Sequence, residues 1–237
     1  MTMLSVRGLQ KHFGGVLAVD DVGLELAEGE LHAVIGPNGA GKTTLIHLLS
    51  GALKPDAGVI VLDGRDVTRL AMHRRVRLGL ARSYQITSVF PNFTVLENLA
   101  LAVQGATGHD DRDRARAELG AVGLGARADD LAGALAHGER RRLELGLALS
   151  TGARLLLLDE PMAGMGPEET ARIVDLLSAL KRKRTILLVE HDMDAVFRLA
   201  DRITTLVDGR VIASGAPDEI RRHPEVLRAY LGEEEPR

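Results

Sequence analysis

The chain has 237 residues, enough to bury a sizeable core as one large domain or two small lobes. Its 45% hydrophobic and 27% charged content is that of an ordinary globular protein, and a net charge of −3 recommends neither nucleic acid nor an anionic membrane as partner. The absence of cysteine excludes disulfides, iron–sulfur clusters and thiolate chemistry. No stretch approaches the roughly 18–20 apolar residues that span a bilayer, and residues 1–7 lack the pattern of a signal peptide. Any membrane crossing is therefore expected of other subunits.

In chain order, Leu4-Ser5-Val6, Ala18-Val19 and Val22-Gly23-Leu24-Glu25-Leu26, around a Gly14-Gly15 turn, predict an antiparallel β-layer leading into an α/β core. Leu31-His32-Ala33-Val34-Ile35 predicts a strand. It runs into Gly36-Pro37-Asn38-Gly39-Ala40-Gly41-Lys42-Thr43, and the apolar helix pattern Leu45-Ile46-His47-Leu48-Leu49 follows. G-x-x-x-x-G-K-[ST] between strand and helix is the context of a phosphate-binding loop. Its glycines can adopt φ > 0 and turn backbone N–H groups onto a polyphosphate. Lys42 supplies a point charge for the terminal phosphates, the Thr43 hydroxyl can ligate Mg²⁺, and the helix N-terminus favours the anion. The segment reads as a nucleoside triphosphate site. Residues 51–64 predict a further turn and strand pair, with Asp63-Gly64 as the hairpin signal.

From about residue 92 to 150 the character is helical, and the charge run from Asp110 to Glu118 reads as a solvated helix face. Arg154-Leu155-Leu156-Leu157-Leu158 then predicts a strand buried on both faces. It ends in Asp159-Glu160, and Pro161 closes it. In a phosphate-loop fold Asp159 would hold Mg²⁺, directly or through water, and Glu160 would polarise an attacking water. Pro167, Glu168 and Glu169 open a helix that Lys181-Arg182-Lys183-Arg184 is expected to close, acid first and base last. The basic run is accordingly a helix terminus rather than a nucleic-acid patch. Residues 185–189 form the next buried strand, 203–213 a hairpin around Asp208-Gly209, and 233–237 a disordered tail.

Leu135-Ala136-His137-Gly138-Glu139-Arg140-Arg141-Arg142 resembles the signature motif of ABC-transporter ATPases, usually Leu-Ser-Gly-Gly-Gln. With it the whole chain falls into that family's order of motifs. The resemblance implies a P-loop NTPase (RecA-like) core with an antiparallel β-subdomain and an inserted α-helical subdomain. Residues 1–91 and 151–237 would form the β-layer and core, and about 92–150 the helical part. It also implies site roles. Phe13 matches the aromatic that stacks on adenine, and Gly36, Pro37, Asn38, Gly39, Ala40, Gly41, Lys42, Thr43 and Thr44 would hold ATP. Gln85 matches the Q-loop residue that contacts Mg²⁺ or the water, and residues 155–160 match the Walker B strand with catalytic Glu160. Residues 163–166 occupy the D-loop, and His191 matches the switch histidine that bonds the γ-phosphate. Each has an ordinary alternative: Phe13 as a core aromatic, Gln85 as a loop polar residue, His191 as a strand-end cap.

Two departures stand out. Ala136 lacks the signature hydroxyl, and His137 replaces a glycine, as a substitute donor or a merely steric element. What stays is Gly138, whose backbone can approach closely, and a helix N-terminus expected near Glu139. In the D-loop, Gly166 stands where the family carries aspartate.

Phe13-Gly14-Gly15-Val16-Leu17-Ala18-Val19, Arg82-Ser83-Tyr84-Gln85, Val189-Glu190-His191-Asp192-Met193 and the ending Arg228-Ala229-Tyr230-Leu231-Gly232 look like the ATPases of branched-chain amino-acid and urea importers. Lipopolysaccharide-export ATPases share much of this pattern and stay open as an alternative. The implied partners are transmembrane permease subunits, a second ATPase subunit that completes two ATP sites, and a periplasmic or extracellular substrate-binding protein, with this chain peripheral on the cytoplasmic side. Nucleic acid is not expected: a soluble ABC ATPase acting on DNA or ribosomes usually carries coiled-coil insertions or tandem cassettes. A metabolic kinase would need neither the signature segment nor His191.

Overall fold

The computed structural model describes residues 1–83 and 89–231, the Leu231 side chain excepted. Strands β1 (Thr2–Phe13) and β2 (Val16–Ala27) form a hairpin about Gly14, whose φ of 58° suits a residue without Cβ. Alternation buries Leu4, Val6, Val22, Leu24 and Leu26 on one face. After β3 (Leu31–Ile35) and α1 (Lys42–Ser50) come β4 (Ala57–Leu62) and β5 (Arg65–Asp66). Asp63 and Gly64 join β4 to β5 with φ of 47° and 74°, the positive pair a two-residue hairpin turn of this twist requires. These strands make a four-stranded sheet in the order β2-β1-β4-β5.

The chain continues through α2 (Met72–Arg77), β6 (Leu80–Arg82), α3 (Val95–Thr107), α4 (Arg112–Ala121) and α5 (His137–Ser150). Thr94 and Glu97 start α3 with a reciprocal capping box, Glu97 N–H to Thr94 Oγ1 at 3.1 Å and Thr94 N–H to Glu97 Oε2 at 2.7 Å. The remaining elements are β7 (Leu155–Asp159), α6 (Pro167–Leu180), β8 (Thr185–Val189), α7 (Met193–Leu199), β9 (Arg202–Val207), β10 (Arg210–Gly215), α8 (Pro217–Ile220) and α9 (Pro224–Leu231). A six-stranded sheet runs β10-β9-β3-β8-β7-β6, parallel except for the β9–β10 hairpin.

This sheet separates two cores. Leu31, Ala33, Ile35, Leu156, Leu158, Ile186 and Leu188 face the one that includes Leu99, Leu119 and Leu143 of α3, α4 and α5. Val34, Leu155, Leu157, Leu187 and Val189 face the other, shared with the antiparallel sheet and α1. Burial on both faces is why β3, β7 and β8 read as unbroken apolar runs, each fully buried Leu, Ile or Val contributing about 1.5–3 kcal/mol.

One expectation needs correction. Helix α6 stops at Leu180, so the basic run 181–184 lies beyond its end, with Arg182 turned to a φ of 68°. Lys181 Nζ instead donates to Leu199 O at 2.7 Å and pairs with Asp201 at 3.1 Å. The cation complements a helix C-terminus after all, but that of α7. Among the described residues no helix is long and apolar enough to cross a membrane.

The parallel order decides where a site can form. Val34 pairs with Val189, and Asp159 also pairs with Val189, so the carboxyl ends of β3, β8 and β7 lie side by side. Open α/β sheets bind ligands at this edge.

Candidate functional site

The loop of residues 36–41 leaves β3 at the centre of that edge. Gly36 has a φ of 153° and Gly41 one of 97°, and a Cβ at either would collide with a carbonyl oxygen, Leu206 O at Gly36 and Ala18 O at Gly41. Glycine is demanded here by close backbone approach as well as by φ. Gly41 also N-caps α1. Lys42, the first residue of α1, is buried and folds its ammonium onto the loop, donating to Gly36 O at 2.6 Å and Pro37 O at 3.0 Å. Thr43 and Thr44 are half-buried in the first turn, whereas Asn38 and Gly39 are exposed and Ala40 is buried. The geometry presents a helix N-terminus, a cation and a wrapped backbone to one point, an arrangement that receives an anion.

Beside it, Asp159 ends β7 with its side chain fully buried, and its carboxylate oxygens accept no hydrogen bond among the described residues. Burial pushes its pKa up; Arg82, whose Nη2 is 3.6 Å from Oδ2, opposes this most strongly, and Lys42 acts in the same sense. Glu160 has a φ of 48°, uncommon for a residue with a Cβ, and its N–H donates to Val189 O at 2.9 Å. Such strain persists where the surroundings over-determine it and concentrates at functional positions.

His191 follows β8 with its ring 64% exposed at the same edge. The strand-end cap is not its job: Asp192 N-caps α7 by accepting from Ala195 N–H at 3.1 Å. Sequence reading passed over the residue before it. Glu190 is fully buried and accepts Met162 N–H at 2.9 Å and His191 N–H at 3.0 Å, so it ties the loop after β7 to the loop after β8. Burial raises its pKa, and those two backbone donors hold it back. A carboxylate closing an all-apolar strand was the available signal.

Phe13 lies at the end of the β1–β2 hairpin and is 47% exposed, so it is no core aromatic. Lys11 sits over its ring at 5.8 Å. Ala18 of the same hairpin contacts Gly41, which places the hairpin against the anion loop. Gln85 lies outside the described residues.

The 135–139 segment belongs to a different neighbourhood. Helix α5 begins at His137, earlier than expected, with Ala136 as its N-cap residue. Alanine offers no capping oxygen, and Glu139 instead accepts the Ala136 N–H at 3.1 Å. The exposed His137 places Nε2 3.3 Å from Ala163 O, in the loop that follows Glu160. At Gly138 a Cβ would meet the Glu169 carboxylate of α6, the far end of a flexible side chain. Gly166 N-caps α6.

Two arginines support the site unannounced by sequence. Arg75 is buried and donates to Leu48 O and Leu49 O at 2.8 Å, two carbonyls of the last turn of α1, and to Leu70 O at 3.0 Å and Thr68 O at 3.1 Å in the segment after β5. Burial lowers its pKa to about 10. Arg82 lines a largely apolar groove of about 370 Å³ with Met72, Val76, Phe90, Leu101 and Leu147. Phe90 is 57% exposed and stacks on Phe93 at 5.3 Å; neither is a core residue of the helical part.

A family described as "ABC transporter" matches residues 19–163, and one described as "Branched-chain amino acid ATP-binding cassette transporter" matches 210–236. The chain is 42% identical over 98% of both chains to the high-affinity branched-chain amino acid transport ATP-binding protein LivG of Salmonella typhimurium. It is 38% identical, at the same coverage, to BraF of Pseudomonas aeruginosa, which carries the same description. Identity to the lipopolysaccharide export ATP-binding protein LptB of Haemophilus influenzae is 33%, over 99% of both chains. Among solved structures, an ATP-binding cassette of an ABC transporter in its ADP conformation superposes with a TM-score of 0.89 at 29% identity, covering 98% of this chain and 99% of that one.

Proposed function

The chain belongs to the ABC transporter family of ATP-binding subunits, and from that premise we propose that its ATP turnover drives uptake of branched-chain or other hydrophobic amino acids through separate membrane subunits. It is an ATPase coupled to transport. The observation that carries the reading is the shared edge of β3, β8 and β7, where the anion loop, Asp159-Glu160 and His191 stand on adjacent parallel strands. Import of amino acids is supported by the match over 210–236 and by the higher identity to LivG than to LptB.

In this reading residues 36–44 bind the triphosphate through backbone N–H groups, and Lys42 leaves its loop carbonyls to meet the terminal phosphates. Glu160 orients and activates the attacking water, with the proton passing to its carboxylate, and His191 hydrogen-bonds the γ-phosphate. Phe13 would offer its exposed ring to the base, and the family role of Gln85, contact with Mg²⁺ or the water, is carried over by sequence alone. The donors also fit Mg²⁺. Asp159 has carboxylate oxygens that accept no hydrogen bond, Thr43 stands in the first turn of α1, and no cluster of three acidic or imidazole ligands among the described residues makes a cage. Mg²⁺ commonly takes one or two protein oxygens and completes its shell with phosphate and water, neutralising the charge on the transferred group.

Residues 136–138, of which Ala136 and His137 are exposed and His137 contacts the 160–166 loop, would face the ATP of a second ATPase subunit. The apolar groove with Phe90 and Phe93 would receive a permease segment, leaving the chain peripheral on the cytoplasmic side of the membrane and a substrate-binding protein outside it. Within a single domain over 1–237, residues 1–91 with 151–237 would be the β-layer and RecA-like core, and about 92–150 the helical subdomain with the signature motif. The test is reconstitution with its permease subunits in liposomes: ATP-dependent leucine uptake that stops with Glu160→Gln is expected. ATP-dependent release of lipopolysaccharide instead would replace the import reading.

A further inference from the structure

Asp159 is fully buried at the end of β7, and in the absence of a ligand its carboxylate is left to the residues around it. Its backbone N–H donates to Ser83 Oγ at 3.2 Å, and Ser83 N–H donates to Leu157 O at 2.9 Å, so Ser83, just after β6, fixes the backbone from which the carboxylate projects. The carboxylate itself accepts no hydrogen bond among the described residues. A buried carboxylate without donors needs a counter-ion. Arg82, at the end of β6, reaches it at 3.6 Å with a side chain only 6% exposed. The guanidinium's charge is felt on the α1 side too, where it joins burial in depressing the pKa of His47.

We propose that Arg82 is a positioning residue that serves as resident counter-ion to Asp159 and competes with the divalent cation for that carboxylate. This rests on reading Asp159 as a metal-side group. A guanidinium and a divalent ion at one carboxylate repel each other in a poorly screened setting, so the ion binds only by loosening the Arg82–Asp159 pair. Arg82 therefore sets how much cation the nucleotide site requires, and it keeps Asp159 ordered when no cation is present.

The experiment is titration of Mn²⁺ into the full chain at saturating ATP, followed by the Mn²⁺ paramagnetic resonance signal, with hydrolysis suppressed by Glu160→Gln. Arg82→Met is expected to lower the half-saturating Mn²⁺ concentration by about tenfold. Arg82→Lys, which keeps the charge, should stay within about threefold of the parent. Without cation or nucleotide, Arg82→Met should melt earlier, and the loss should be partly recovered in Arg82→Met with Asp159→Asn, because the pair is removed together. If Arg82→Met does not fold, that double variant and Arg82→Gln carry the comparison. Unchanged Mn²⁺ half-saturation in the neutral variants, with additive melting losses, overturns the proposal. Asp159→Asn alone separates the two layers: if it leaves Mn²⁺ binding unchanged, the metal reading of Asp159 fails first.

Discussion

The strand edge around residues 36–44 and the segment 135–139 are held by different means. At the edge, the groups that matter are buried or backbone-locked: Lys42 on two carbonyls and Glu190 on two N–H groups. Around 135–139 the links are exposed side-chain contacts, His137 to Ala163 at 3.3 Å and Arg127 to Glu139 at 3.0 Å. Exposed contacts of this kind are individually worth 1 kcal/mol or less, roughly. The strand edge is pre-organised by contacts within the chain, whereas the 135–139 segment is tied down by fewer and more exposed ones; in the proposed reading that outward side is where a second ATPase subunit would dock.

Substitutions can break or sharpen that contrast. The largest effect is expected at Glu160→Gln, which should lower kcat by about 10²–10⁴ while leaving the ATP dissociation constant unchanged, measured by single-turnover hydrolysis and nucleotide titration. Gly41→Ala should lose ATP binding by tenfold or more and cost about 1–3 kcal/mol in urea unfolding, since its Cβ would collide with Ala18 O. Equal affinity in that variant would mean the loop is not as tightly cast as its contacts imply. Glu190→Ala, leaving the Met162 and His191 N–H groups without their acceptor, should reduce kcat about tenfold with little change in ATP affinity. A loss confined to affinity would show that Glu190 serves the loop of residues 36–41 instead. His137→Ser, on the outward-facing side, should alter the ATPase rate of the isolated chain by less than about threefold.

The smallest effect calibrates an exposed link. The Lys11 ammonium and the His12 N–H hold the Asp56 carboxyl down to about 2. Because the folded value lies below the ordinary one, the contribution is present above about pH 4 and fades as the pH falls toward 2. Asp56→Asn should melt slightly earlier at pH 7 and match the parent at pH 2, read by circular dichroism.

Much of this was legible in local patterns. Strands β3, β7 and β8 announce themselves because burial on both faces demands unbroken apolar runs, and the glycines of the anion loop because backbone approach admits nothing larger. Asp63-Gly64 and Asp208-Gly209 mark their hairpins through the positive φ that such turns require. The contacts of Arg75, Arg82 and Glu190 were not legible, nor was the Glu169 carboxylate that lies beside Gly138. A charged residue in an Arg-rich stretch looks the same whether solvated or buried; only long-range packing brings the carbonyls, the carboxylate or the N–H groups that partner it. By itself, the order of residues determined the anion loop and the buried strands, since these follow from short-range geometry. The tertiary structure alone decided which charges face one another, because strand order brings residues 82, 159 and 190 to one edge across gaps that no local rule spans.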